Sequence, residues 1–200
     1  VMNNEITKLD LALQNPARPC LAVLGGIKVD DSIAVADHML RNNICDEFWA
    51  TGGVANLLLE LSGYNIGSVN HDFLVKELGK NWHQTVETAK ALIVDFKEKI
   101  HLPIDVAANI EDNRVDIEVE KLPIEAPIFD LGIQSIRNLS AAIKTAGTVH
   151  LNGPAGVFER PDFAFGTIEM LNACAESKAY VVVGGGHTAT LIVKHGLRNK

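Results

Sequence analysis

Five apolar runs in this chain stop abruptly at glycine. VLGG ends at Gly25 and Gly26, ATGG at Gly52 and Gly53, FDLG at Gly132, HLNGP at Gly153, and YVVVGGG at Gly184, Gly185 and Gly186. A strand that gives way to glycine leaves bare main chain, and a helix starting there adds unpaired N–H groups at its positive end. Strand, glycine and helix together therefore make a natural anion site. The last turn is the fullest case: the β-branched and aromatic run Tyr180, Val181, Val182, Val183 reads as a buried strand, and His187 opens a helical stretch that Gly196 can cap. One such turn is equally explained by close packing of a helix on a strand. Repetition weakens that explanation, because in a parallel sheet the carboxyl ends of the strands share one edge and ligands bind in the crevice there. Lys28, just past the first turn, is placed to reach a phosphate, although an isolated surface lysine is the commoner explanation for one such residue.

The elements that must hold these turns follow from periodicity. Met2, Ile6, Leu9 and Leu13 form one stripe of an amphipathic helix over 1–14, which ends at Asn15-Pro16. Strands are predicted over 20–24, 47–51, 128–131, 148–151 and 180–183, and helices from about 30 to 43 and over 54–62, 72–79, 83–99, 134–146 and from about 163 to 176. Asp30, Asp31 and Ser32 suit the cap or first turn of the helix that starts at about 30. The stretch 102–110 is strand-like and 114–120 alternates strictly; with the polar turn 111–113 between them, they suggest an antiparallel hairpin. The alternation β-α-β-α predicts an α/β fold: a doubly wound, mainly parallel Rossmann-like sheet with helices on both faces and the small hairpin beside it.

Composition narrows the function. Two hundred residues with 47% apolar content suit a single folded domain. A net charge of −7 argues against nucleic acid or an acidic membrane as partner, so a phosphate site must be built locally from backbone and a few lysines. Three cysteines without CxxC spacing read as core residues in a reducing, cytoplasmic setting, and the histidines show no metal-ligand spacing, so no protein metal site is assigned. No GxxxxGK[ST] occurs, and the first turn is GGIKVD rather than GxGxxG, which makes a nicotinamide enzyme a minor alternative.

LGGIKVDDSI, TGGVAN, DLG, NGPAGVFE and GGGHT, in this order and spacing, resemble the C-terminal, nucleotide-binding domain of the phosphoglycerate kinase family, with DDS and GGGHT resembling its archaeal branch. The resemblance covers essentially the whole chain, with 1–14 similar to the helix linking that family's two domains and 15–200 to the nucleotide domain. It implies transfer of phosphate between ATP and the carboxylate of 3-phosphoglycerate, in glycolysis and gluconeogenesis, with Mg2+ carried on the nucleotide. It further implies that Gly25, Gly26, Gly52 and Gly53 wall the adenine and ribose pocket, where a side chain would block a flat ring. Pro154 and Val157 would pack on the adenine and Glu159 would accept hydrogen bonds from the ribose, although helix capping is the other reading of that glutamate. Asn152 would lie near the phosphates. The catalytic set would be Lys28 with Gly184, Gly185 and Gly186, and His187 and Thr188 would complete the phosphate site at the start of the last helix.

Two positions depart from the family pattern: Ser32 stands where many members carry a second lysine, and His187 where many carry an aspartate that helps to hold Mg2+. The family's substrate half precedes the linker helix, and a tail follows the region of Lys200. The expectation is thus a nucleotide half that binds ADP or ATP without turnover, with 3-phosphoglycerate bound through an absent N-terminal domain. The alternative is a stand-alone nucleotide-binding module.

Overall fold

The computed structural model describes residues 15–186. The helix expected over 1–14, His187, Thr188 and the last helix lie outside the described residues. Strand β1 (Cys20–Leu24) is buried along its whole length, as its unbroken apolar sequence requires. It leads through α1 (Val29–Arg41) to β2 (Glu47–Ala50), then α2 (Gly52–Leu61), α3 (Ser68–Leu78), α4 (Trp82–Phe96) and the short β3 (Ile100–His101). A hairpin of β4 (Asp105–Ile110) and β5 (Asn113–Glu118) precedes β6 (Ile128–Leu131) and α5 (Ile133–Thr145). The described chain closes with β7 (Thr148–Asn152), α6 (Phe165–Glu176) and β8 (Tyr180–Gly184).

The main sheet is five-stranded and parallel, in the order β3-β2-β1-β7-β8. Side chains alternate along β1. Cys20, Ala22 and Leu24 join a core with Ile33, Leu40, Leu57, Leu58 and Leu92 from α1, α2 and α4. Leu21 and Val23 join a second core with Leu139, Ile143, Met170 and Leu171 from α5 and α6. The sheet is thus covered on both faces, as expected of a doubly wound fold. Leu24, Ala50, Asn152 and Gly184 are paired across it, so the carboxyl ends of β2, β1, β7 and β8 stand level at one edge. The chain order reverses between β1 and β7, the switch point where such sheets bind ligands.

Two expectations change. The stretch 102–110 is not one strand: Ile100 and His101 pair with β2, the chain leaves the sheet at Leu102-Pro103, and Asp105–Ile110 starts a different sheet. Proline cannot donate to a ladder, so pairing stops there. The run before Gly132 does not share the parallel edge either, because β6 pairs antiparallel with β4 in a three-stranded sheet of order β5-β4-β6. The expected hairpin is present, turning at Glu111 and Asp112, both with positive φ. Among the described residues no helix is long and apolar enough to cross a membrane.

Candidate functional site

Three glycine turns meet at the switch point and lock together through main chain. The Gly25 amide donates to Asn152 O at 2.8 Å, Gly26 to Pro154 O at 2.9 Å, Gly53 to Gly26 O at 3.0 Å and Thr51 to Leu24 O at 3.0 Å. The loops approach so closely that a Cβ on Gly25 would overlap the Thr51 hydroxyl, and one on Gly53 would sit 2.9 Å from Gly26 O. These glycines therefore have a packing reason beside the one the resemblance implies: at Gly25, Gly52 and Gly53 a side chain would meet a neighbouring loop. The packing explanation and the ligand explanation are therefore not alternatives, because the interlock is what shapes the floor.

Above that floor lies a crevice of about 920 Å³. The first loop lends it Gly25, Gly26 and Lys28, and the second Gly52 and Gly53. Asn152 comes from the end of β7, Pro154, Val157 and Glu159 from the segment after it, and Gly185 and Gly186 from the turn after β8. Residues that the glycine turns and the family resemblance assign to one site are thus brought together, except that Gly184 ends its strand beside Asn152 without lining the crevice, and His187 and Thr188 are not described. Lys28 occupies the N-cap position of α1, is exposed, and has no ion-pair partner among the described residues. Asp30 and Asp31 lie in the first turn of α1, as expected, and Ser32 is buried with its hydroxyl directed to Gly25 O at 3.4 Å. The capping alternative for Glu159 finds no support, since the N-cap of α6 is Ala164 and no side chain of that residue caps it.

The opposite wall was not legible from spacing. Val69 and Phe73 from α3, Val106 from β4, and Ile128 and Phe129 from β6 line it with apolar surface. Asn70 also faces it, but its amide is committed: Nδ2 donates to Ile66 O and Ala126 O, and Oδ1 accepts from Ile128 N. Nothing in the one-dimensional pattern joins α3 to β6; the contact is tertiary.

Asp130 on β6 is the buried charge of this wall. Its side chain is fully enclosed and pairs with Arg114 Nη1 at 2.8 Å, while Gly166 N donates to Oδ2 at 2.8 Å and Leu131 N to Oδ1 at 2.9 Å. Burial pushes this carboxyl above the usual carboxylate range, against the opposing pull of Arg114 and the two amides. A second buried aspartate, Asp105 on β4, accepts from Gln134 N at 2.9 Å and Ser135 N at 2.7 Å and so caps α5 from another element. Among the described residues no group of three metal-ligating side chains converges.

The phosphoglycerate kinase family model matches residues 1–200. The chain belongs to the phosphoglycerate kinase family. It is 43% identical over 199 residues to a phosphoglycerate kinase of Methanothermobacter thermautotrophicus, a match that covers all of this chain and 47% of that protein. It is 39% identical over 200 residues to the enzyme of Methanothermus fervidus, covering 48% of it. Among solved structures, phosphoglycerate kinase from Pyrococcus horikoshii OT3 superposes with a TM-score of 0.88 at 34% identity, over 98% of this chain and 48% of that one. The enzyme from Coxiella burnetii gives 0.78 at 30% identity. The chain therefore spans about half the length of the relatives it matches.

Proposed function

We propose that this chain is the nucleotide-binding half of a phosphoglycerate kinase. The observation that carries the reading is that motif residues spread from Gly25 to Gly186 line one crevice at the switch point of the sheet. Its size suits a nucleotide, and its two sides differ as a nucleotide's ends do. The apolar side of Phe73, Phe129 and Val157 takes the base, Glu159 takes the ribose hydroxyls, and the glycine turns with Lys28 take the phosphates.

In the reaction a carboxylate oxygen of 3-phosphoglycerate attacks the γ-phosphorus of ATP while the bond to the β-phosphate oxygen breaks. Such a transfer needs alignment and charge neutralisation more than covalent help. Lys28 supplies fixed positive charge, and the turn at Gly185 and Gly186 offers main-chain donors to the transferring group. Mg2+ bound with the nucleotide would add charge neutralisation, and a cation held mainly by phosphates and water needs no dedicated protein cage. The acceptor would be bound by the part of the relatives' length that this chain does not span, so these 200 residues bind ADP or ATP without turnover.

Titration calorimetry with ADP and adenosine, on wild type and Lys28→Ala, tests the reading. Lys28→Ala should weaken ADP by about 1.5–3 kcal/mol, the worth of hydrogen bonds to a charged group, and leave adenosine unchanged. Equal weakening of both ligands would make Lys28 a loop support, and absence of ADP binding by wild type would overturn the function. A coupled assay of the 200-residue chain with 3-phosphoglycerate should show no turnover.

A further inference from the structure

The ligand-facing segment 156–162 has little regular structure, since its last residues form only a single turn, Pro161–Phe163. Yet it carries Val157 and Glu159, which must be held in place to be useful. One end packs against an ion pair, with its Gly156 amide donating to the Thr167 hydroxyl at 3.3 Å, and the other end is hydrogen-bonded to that pair. At one end, Gly156 lies against the Asp130 carboxylate so closely that an added Cβ would stand 2.6 Å from Oδ1, and Val157 N donates to the neighbouring Phe129 O at 2.8 Å. At the other end, Asp162 O accepts from Arg114 Nη1 at 3.0 Å. Arg114 also donates to Leu131 O at 2.7 Å and to Asp116 Oδ1 at 3.0 Å, so the guanidinium is fastened to β5 and β6. Asp130 in turn holds the first turn of α6 through Gly166 N, where a Cβ would again overlap the carboxylate.

We propose that Arg114 and Asp130 are positioning residues for the nucleotide: together they clamp both ends of the segment 156–162 and thereby set Val157 and Glu159 against the base and ribose. The inference rests on the nucleotide reading above. The clamp explains Gly156 physically, since any side chain there collides with a buried carboxylate. It also explains a buried charge that phosphoryl transfer does not need, for Asp130 is fully engaged by Arg114, Leu131 and Gly166. Its contribution to binding is indirect, through the two residues it places.

The test measures affinity for ADP and for 2′,3′-dideoxy-ADP in the protein at its natural length, for wild type, Asp130→Asn and Arg114→Lys, well below each melting temperature. In wild type the ribose hydroxyls should be worth about tenfold in affinity through Glu159. Asp130→Asn, which keeps the shape and removes the charge, should weaken ADP about tenfold and reduce that preference to within twofold. Arg114→Lys keeps the charge but loses the fork, and should lower the preference about threefold. It also stands in if Asp130→Asn does not fold. Variants that melt earlier but keep the wild-type preference would overturn the clamp and leave a purely structural pair. Wild type that binds no ADP would overturn the underlying reading, an outcome distinct from a wild type that binds and discriminates while its variants do so equally well.

Discussion

Four helices treat their positive ends in two different ways. At α1 and α2, on the parallel-sheet side, no side chain of the N-cap residues Lys28 and Thr51 caps the first turn, and both turns face the crevice. At α5 and α6, on the side of the small sheet, buried aspartates from other elements fill that place: Asp105 at Gln134 and Ser135, and Asp130 at Gly166. An open helix N-terminus can accept an anion from outside, whereas one already holding a carboxylate has satisfied its amides and gains nothing from a phosphate. The first turns of α1 and α2 lean on main chain instead, Val29 N on Ile27 O and Gly53 N on Gly26 O, and on the nucleotide reading their remaining amides serve the ligand, whereas the second pair is closed by carboxylates. The crevice has a backbone-built floor and a side-chain-built wall.

The contrast is most severely tested at the floor. Gly153 has φ near +84°, and a Cβ there would overlap the Gly25 carbonyl. Gly153→Ala should lower the unfolding free energy by about 3 kcal/mol, from overpacking and a disfavoured backbone together. ADP binding should be lost with it, as urea unfolding and calorimetry can show. A variant as stable as wild type would mean the loops are not interlocked.

Asp105→Ala strikes one of the closed ends. Two amides and the Ser135 hydroxyl lose their acceptor, for a loss of about 2 kcal/mol in the same urea experiment. Because the first turn of α5 does not line the crevice, ADP affinity should stay within a factor of two. A large fall in affinity would erase the distinction between the two kinds of helix end.

Phe73→Ala sharpens the division within the crevice. Its ring is 42% exposed, so its removal should hardly shift the melting temperature. It should weaken ADP and adenosine equally, by about 1 kcal/mol for the apolar area that the base no longer covers. Selective loss of ADP would place the phosphates, not the base, on this wall.

The smallest effect is expected at the thiols, Cys20 and Cys45 buried and Cys174 half-buried. Burial pushes Cys20 up to about 11 and Cys45 and Cys174 up to about 12, so at pH 8 a disulfide reagent should titrate none of them in the native protein and all three after denaturation. The unfolded chain ionises its thiols first, so their contribution to stability is intact below pH 9 and declines as the pH rises from there towards 12. Unfolding free energies measured from pH 8 to 10 should show that decline.

How far the molecule was legible in its residues follows the same division. The parallel strands, their order of alternation with helices and the glycine turns could be read because each depends on a short stretch: apolar continuity for burial on both faces, glycine for the bare turn that follows. Lys28 came with those turns, whereas Asn152 and Glu159 were named through resemblance to the family. Phe73, Phe129 and the Arg114–Asp130 clamp could not be read in that way, because their meaning lies in partners distant in the chain. Arg114 shows why: in the linear pattern it is one polar residue of an alternating strand, and it becomes a clamp only where β5, β6 and the 156–162 segment come together. The break at Pro103 likewise decided that β4 and β6 form a sheet of their own, giving the crevice a second wall. Local propensity and periodicity specify backbone, and backbone built the floor; the wall depends on which buried charges find each other, and that is settled by packing.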